Sequence, residues 1–186
     1  MIPTAWEGLA PAPTGREGQL SLLESARALG SLRWLELEGH ARLGALAAGG
    51  SLPPRTAVWA SGASLAHAWR AEQLRELLPV SAGLPGVDES TRASASGGAL
   101  ARDLEVALRS ADSGALSRWY RALSAVYAAL SEGVGVAGGA PARRMLNRLA
   151  ADADREAGEI AVDRAPCGEA AGTTPGSGTP TLGGKA

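Results

Sequence analysis

Between about residue 20 and residue 160 the apolar side chains recur at intervals of three and four, and each break in that rhythm falls on a glycine or proline cluster. No alternating run of Val, Ile and Thr occurs, and alanine and leucine, both strong helix formers, dominate. That pattern selects an all-α fold. The spacing predicts a first helix from Leu20 to Ala48, ended by Gly49 and Gly50. A second follows Pro53 and Pro54 and runs to Leu78, where Pro79 stops it. The short polar connection makes these two antiparallel neighbours. Val80 to Gly98 reads as a long irregular segment, followed by a short helix, Ala99 to Ala111, and a longer one from Ser113 to Val136. The last helix opens at Pro141, a favoured first-turn position, and reaches Ile160.

The two helical hairpins are thus joined by a connection too long for a tight turn. A long crossover between helices two and three is used by a four-helix bundle in which those helices run parallel; an up-down bundle does not need it. The alternative is an irregular helical domain with Ala99 to Ala111 as a fifth core helix. Residues 1–19 and 164–186 are rich in Pro, Gly, Thr and Ser and lack periodicity, so they read as a flexible N-terminus and a disordered C-terminal tail around one domain, 20–163.

Composition narrows function by exclusion. The chain has 186 residues, one cysteine, two histidines, no phenylalanine and a formal net charge of −1. A single Cys forms neither an internal disulfide nor a Cys-rich zinc site. The charge balance lacks the basic face of a nucleic-acid binder. No stretch approaches the roughly 18 apolar residues of a membrane span, and the first 18 residues lack the apolar run of a signal peptide, so a cytoplasmic location is expected. The excess of Ala, Gly and Arg over Lys, Ile and Asn matches GC-rich coding. No phosphate-binding glycine loop or nucleophile elbow is present, and Cys167 lies far in sequence from either histidine.

Polar groups interrupt the core faces at a few places. Leu22, Leu29, Glu36 and Leu43 are spaced by sevens, so Glu36 falls within the leucine seam of the first helix, with Arg33 and His40 a turn to either side. Either these three satisfy one another or turn to solvent, or they form a ligand or proton-transfer site, because buried charge is costly unless paired. On the second helix Val58, Leu65, Trp69 and Glu72 share one face, and His67, Leu74 and Leu78 the opposite one. Trp69, the largest apolar group, argues for burial of its own face, which would aim Glu72 at Glu36. The next long helix carries a stripe of Leu116, Tyr120, Leu123, Tyr127, Leu130 and Val134, flanked by Trp119 and Val126, with Glu132 on the other side. Its two phenols should find partners across the core, such as Glu36 or His40. On the last helix Met145, Leu149 and Ile160 set the stripe, Asp152 and Glu156 border it, and Arg148 can pair with Asp152.

The stretches Leu29 to His40 and Ala66 to Leu78, with the overall layout, resemble helices one and two of bacterial ferritin-like proteins over about Leu20 to Ile160. The resemblance implies a ferritin-like four-helix bundle with a long crossover between helices two and three and one short extra helix. Catalytic members of that superfamily hold two iron or manganese ions with a Glu on each of two helices and a Glu-x-x-His on each of the others. Here position 37 is Leu and position 64 is Ser, so neither histidine has the required glutamate. The third long helix has no inward carboxylate. The standard ligand set is therefore absent.

Two main functional expectations follow. One is a non-catalytic helical module without a cofactor that meets a protein partner or forms a homodimer, motivated by Trp34, about 160° from Glu36 on the helical wheel, and by Trp59. The other is a metal-dependent oxidoreductase with an atypical iron or manganese site at Glu36, His40 and Glu72. A third reading takes Thr181 to Gly184 as a docking peptide on a flexible tether.

Overall fold

The computed structural model describes residues 19–79, 90–92, 94–96, 98–110, 112–134 and 139–162. Among the described residues five helices are delimited: α1 (Leu22–Ala48), α2 (Pro54–Leu77), α3 (Ala99–Ser110), α4 (Ser113–Gly133) and α5 (Gly139–Val162). Among the described residues there is no strand, only an isolated bridge between Leu20 and Val134. The expected all-α class and the element order hold. The flexible termini and the docking peptide of the sequence reading lie outside the described residues.

Local chemistry sets the helix ends. Ser21 caps α1 in a reciprocal box: its side chain accepts from the Glu24 N–H at 3.3 Å, and Glu24 accepts from the Ser21 N–H at 2.7 Å. At the other end Gly50 takes a φ of 68°, the left-handed conformation that closes a helix without a Cβ clash. Pro54 opens α2, where a missing N–H costs nothing. Asp112 caps α4 by accepting from the Gly114 N–H at 2.8 Å.

The helices pack as pairs, α1 with α2 and α4 with α5. Glu36 meets His67 while His40 meets Ser64, so α1 and α2 are antiparallel. Ser117 reaches the Ala157 carbonyl and Ser131 that of Arg143, so α4 and α5 are antiparallel too. The Leu20 N–H donates to the Gly133 carbonyl at 2.9 Å and Tyr127 donates to Glu36, which sets α1 against α4 in opposite senses. It follows that α2 and α4 run in the same sense, and the chain between them must travel the length of the body. Part of that return path leans on α1. A Cβ on Gly30 would stand 2.6 Å from the Thr91 carbonyl oxygen, so only glycine admits the backbone there.

One apolar cluster joins the pairs. The α4 stripe of Leu116, Tyr120, Leu123, Tyr127, Leu130 and Val134 is buried along its whole length, with Trp119 and Val126, while Glu132 faces out. Each such leucine stabilises the fold by about 1.5–3 kcal/mol. The short α3 adds Leu100, Leu104 and Ala107 and accepts a hydrogen bond from Trp119 Nε1 at its Leu100 carbonyl.

On α2 the buried face is not the one its bulk suggests. Ala60, Ala63, Ser64, His67, Arg70, Ala71 and Leu74 point inward. Val58 and Leu65 are 74% and 69% exposed, and Trp69, expected in the core, is 37% exposed. Small residues let α2 approach α1 closely, and that contact outweighs the larger area of the Val58, Leu65 and Trp69 stripe.

Candidate functional site

Six polar side chains from four helices meet in the interior: Glu36 of α1, His67 and Arg70 of α2, Tyr120 and Tyr127 of α4, and Glu156 of α5. The inward face of α2 places His67 and Arg70 one turn apart. Gly39 makes room for the ring, since a Cβ there would lie 2.7 Å from His67 Nδ1.

The Glu36 carboxylate is the hub. One of its oxygens accepts from His67 Nδ1 at 2.6 Å and from Arg70 Nε at 3.0 Å, and the other accepts from the Tyr127 hydroxyl. Arg70 spans to the second carboxylate, donating from Nη1 and Nη2 to the two oxygens of Glu156 at 2.8 and 3.3 Å, the fork geometry that makes Arg the strongest carboxylate partner. The Tyr120 hydroxyl lies 2.8 Å from His67 Nε2 and closes the chain of contacts on the far side of the ring.

Burial raises the Glu36 carboxyl, but the Arg70 guanidinium, His67 and the hydrogen bonds from His67 and Tyr127 outweigh it and hold the group at about 2. Arg70 is shifted up: its two carboxylates more than offset its desolvation. Both phenols are pushed well above their ordinary value, by burial first and by nearby carboxylates second. At neutral pH the interior therefore holds an ionised carboxylate, a guanidinium and two neutral phenols.

The residues expected to hold a metal are not brought together. Glu36 is central, but His40 is half-buried and bonds Ser64, whose hydroxyl donates to the His40 carbonyl at 2.9 Å. Glu72, expected to face Glu36, is exposed and accepts from Arg75 Nε at 2.8 Å. Its place is taken by His67, which lies on the opposite side of α2. Nor do Arg33, Glu36 and His40 satisfy one another along α1: among the described residues Arg33 Nε has no hydrogen-bond partner, and Glu36 is held from three other positions. Among the described residues no group of three or more His, Cys, Asp or Glu side chains is placed to hold a metal ion.

No family model, curated protein or solved structure matches the chain. The site is therefore read from its own chemistry. It does not fit a dinuclear metal centre, because the cation between Glu36 and Glu156 is a side chain of the protein itself, and both oxygens of each carboxylate already accept hydrogen bonds.

A cleft of about 350 Å³ leads down to this cluster between α2 and α5, lined by Ala66, Trp69, Arg148, Asp152 and Arg155 above Arg70 and Glu156. Arg148 does not take Asp152, as its spacing suggested. It lies over the Trp69 ring, 5.1 Å from the centroid, while Asp152 pairs with Arg155 at 2.9 Å. Trp34 and Trp59, expected on an outer face, are half-buried and pack against the core.

Proposed function

We propose that this chain is a non-catalytic ferritin-like four-helix bundle, with a long crossover and one short extra helix, that serves as a protein-interaction module. The observation that carries the reading is Arg70. Its guanidinium occupies the place between carboxylates of different helices where a catalytic bundle of this kind holds its metal ions, and it supplies the positive charge there. The parallel sense of α2 and α4 supports the same layout. A network of this type ties four helices together through the protein's own cation, and each oxygen of both carboxylates already accepts a hydrogen bond.

The rival reading is the metal-dependent oxidoreductase using iron or manganese, and metal content separates the two. Protein incubated with excess Fe(II) or Mn(II) under anaerobic conditions and then desalted is expected to retain well below one equivalent by elemental analysis. Retention of one or two equivalents that disappears in Glu36→Gln would overturn the proposal.

A further inference from the structure

The outward face of α2 carries a line of exposed residues with a symmetry of its own. Val58, Gly62, Leu65 and Trp69 follow one another at helical spacing, and all are exposed. The space above Gly62 is open, with nothing within 4 Å of where a Cβ would stand. Arg55 precedes this run on the same face and Glu72 follows it, both exposed.

These residues are spaced symmetrically about a point between Ala63 and Ser64. Two antiparallel copies of α2 related by a two-fold axis at that point bring Val58 against the second copy's Trp69, and Gly62 against its Leu65. The notch at Gly62 receives a leucine, and the axis repeats the contact. The same register sets Arg55 opposite Glu72 of the other copy, twice. Arg75 pairs with both Glu72 and Glu76 near the C-terminal end of the face. Antiparallel helices also place opposite macrodipole ends side by side. A patch complementary to itself under a two-fold operation is the mark of an isologous interface.

We infer that the protein forms a symmetric dimer through the outward faces of α2, with Val58, Leu65 and Trp69 at its centre and Arg55 with Glu72 at its rim. The inference rests on the interaction-module reading and names its partner as a second copy of this chain. A single-helix interface of this extent is smaller than that of an obligate dimer, so the association belongs to the transient class.

The test is sedimentation equilibrium of the full chain from the low micromolar to the sub-millimolar range. The expected result is a weight-average mass rising from the 18.8 kDa monomer toward twice that value. Arg55→Glu puts two acidic groups at each rim contact and Glu72→Arg two basic ones. Each variant alone should weaken the dimer about tenfold, two reversed surface pairs of typical strength, with an unchanged circular dichroism spectrum. Mixed in equal amounts, the two variants restore both rim contacts in a heterodimer, and the mass should return to the wild-type curve. Wild-type protein that stays monomeric throughout overturns the inference, as does a dimer indifferent to both variants or a mixture that remains as weak as its parts. A monomer would leave the charge-closed bundle standing, since that reading is tested separately by bound metal.

Discussion

Two tyrosines make the interior accessible to a direct measurement. The chain contains no others, and both phenols lie inside the cluster, Tyr127 donating to Glu36 and Tyr120 set between His67 and Glu156. Burial disfavours a charged phenolate, and ionising either would also place a second negative charge beside a buried carboxylate, so both are shifted upward. Their shared contribution to stability is present below pH 10, where an unfolded tyrosine begins to ionise, and is lost as pH rises beyond it. Absorbance at 295 nm should therefore show no phenolate below about pH 10. It should then rise in one step that coincides with the loss of far-ultraviolet circular dichroism. A gradual titration in a chain that keeps its helices would place the phenols in contact with solvent, contrary to the structure. That the phenols would face the core and find polar partners such as Glu36 or His40 was legible from the α4 stripe, because only one face of that helix is apolar; Tyr127 does meet Glu36, whereas Tyr120 meets His67. The identity of the cation was not. Arg70 is the kind of residue that sequence reasoning assigns to solvent, and its burial depends on carboxylates from two other helices.

Among the helices, α2 shows where pattern reading fails. Its apolar residues divide between two faces, and ranking the faces by size selects Trp69, Leu65 and Val58. Packing selected instead the face with the smallest side chains, because Ala60, Ala63 and Ala71 let the backbone approach α1 closely enough for His67 to enter beside Gly39. A clue available in the sequence was Gly39, one of three glycines, with Gly30 and Gly44, that open the surface of the leucine-rich first helix. The order of the helices, their approximate limits and the α4 core stripe all followed from periodicity and from Gly and Pro breaks, which act locally. Which face of a helix meets its neighbour is a tertiary choice. Glycine substitutions check this geometry. Gly39→Ala drives a methyl into the His67 ring and should cost about 1–3 kcal/mol, the range for overpacking a well-filled interior. Gly158→Ala on the open side of α5 meets nothing within 4 Å and should gain roughly 0.5–1 kcal/mol from helix propensity. Urea titrations of both variants measure the two signs. Stabilisation by Gly39→Ala would refute the close approach of α1 and α2.

At the scale of the molecule the cluster ties four helices to a single charge balance, so global stability should carry the titration signature of its hub. The folded Glu36 carboxyl sits at about 2 against 4.5 for the free group. A depressed carboxylate contributes stability that is complete above the unfolded value and disappears as pH falls toward the folded one. The window for Glu36 is therefore about pH 4.5 down to 2, and a shift of this size is on the order of 3 kcal/mol. Glu72 is shifted in the same direction by Arg75, but it is exposed and solvent screening leaves it little weight. Urea unfolding of the wild type at a series of pH values should show a plateau near neutrality and a steep fall below pH 4.5. Glu36→Gln keeps the shape of the side chain and removes its charge. At pH 7 the variant should be less stable by about 1.5–3 kcal/mol, the worth of hydrogen bonds to a charged group. Between pH 4.5 and 2 its curve should be flatter and should converge on that of the wild type, because protonation does to the native protein what the substitution has already done. Parallel curves, offset at every pH, would mean that the acid sensitivity resides elsewhere and that Glu36 is not the hub of the charge balance holding the four helices in register.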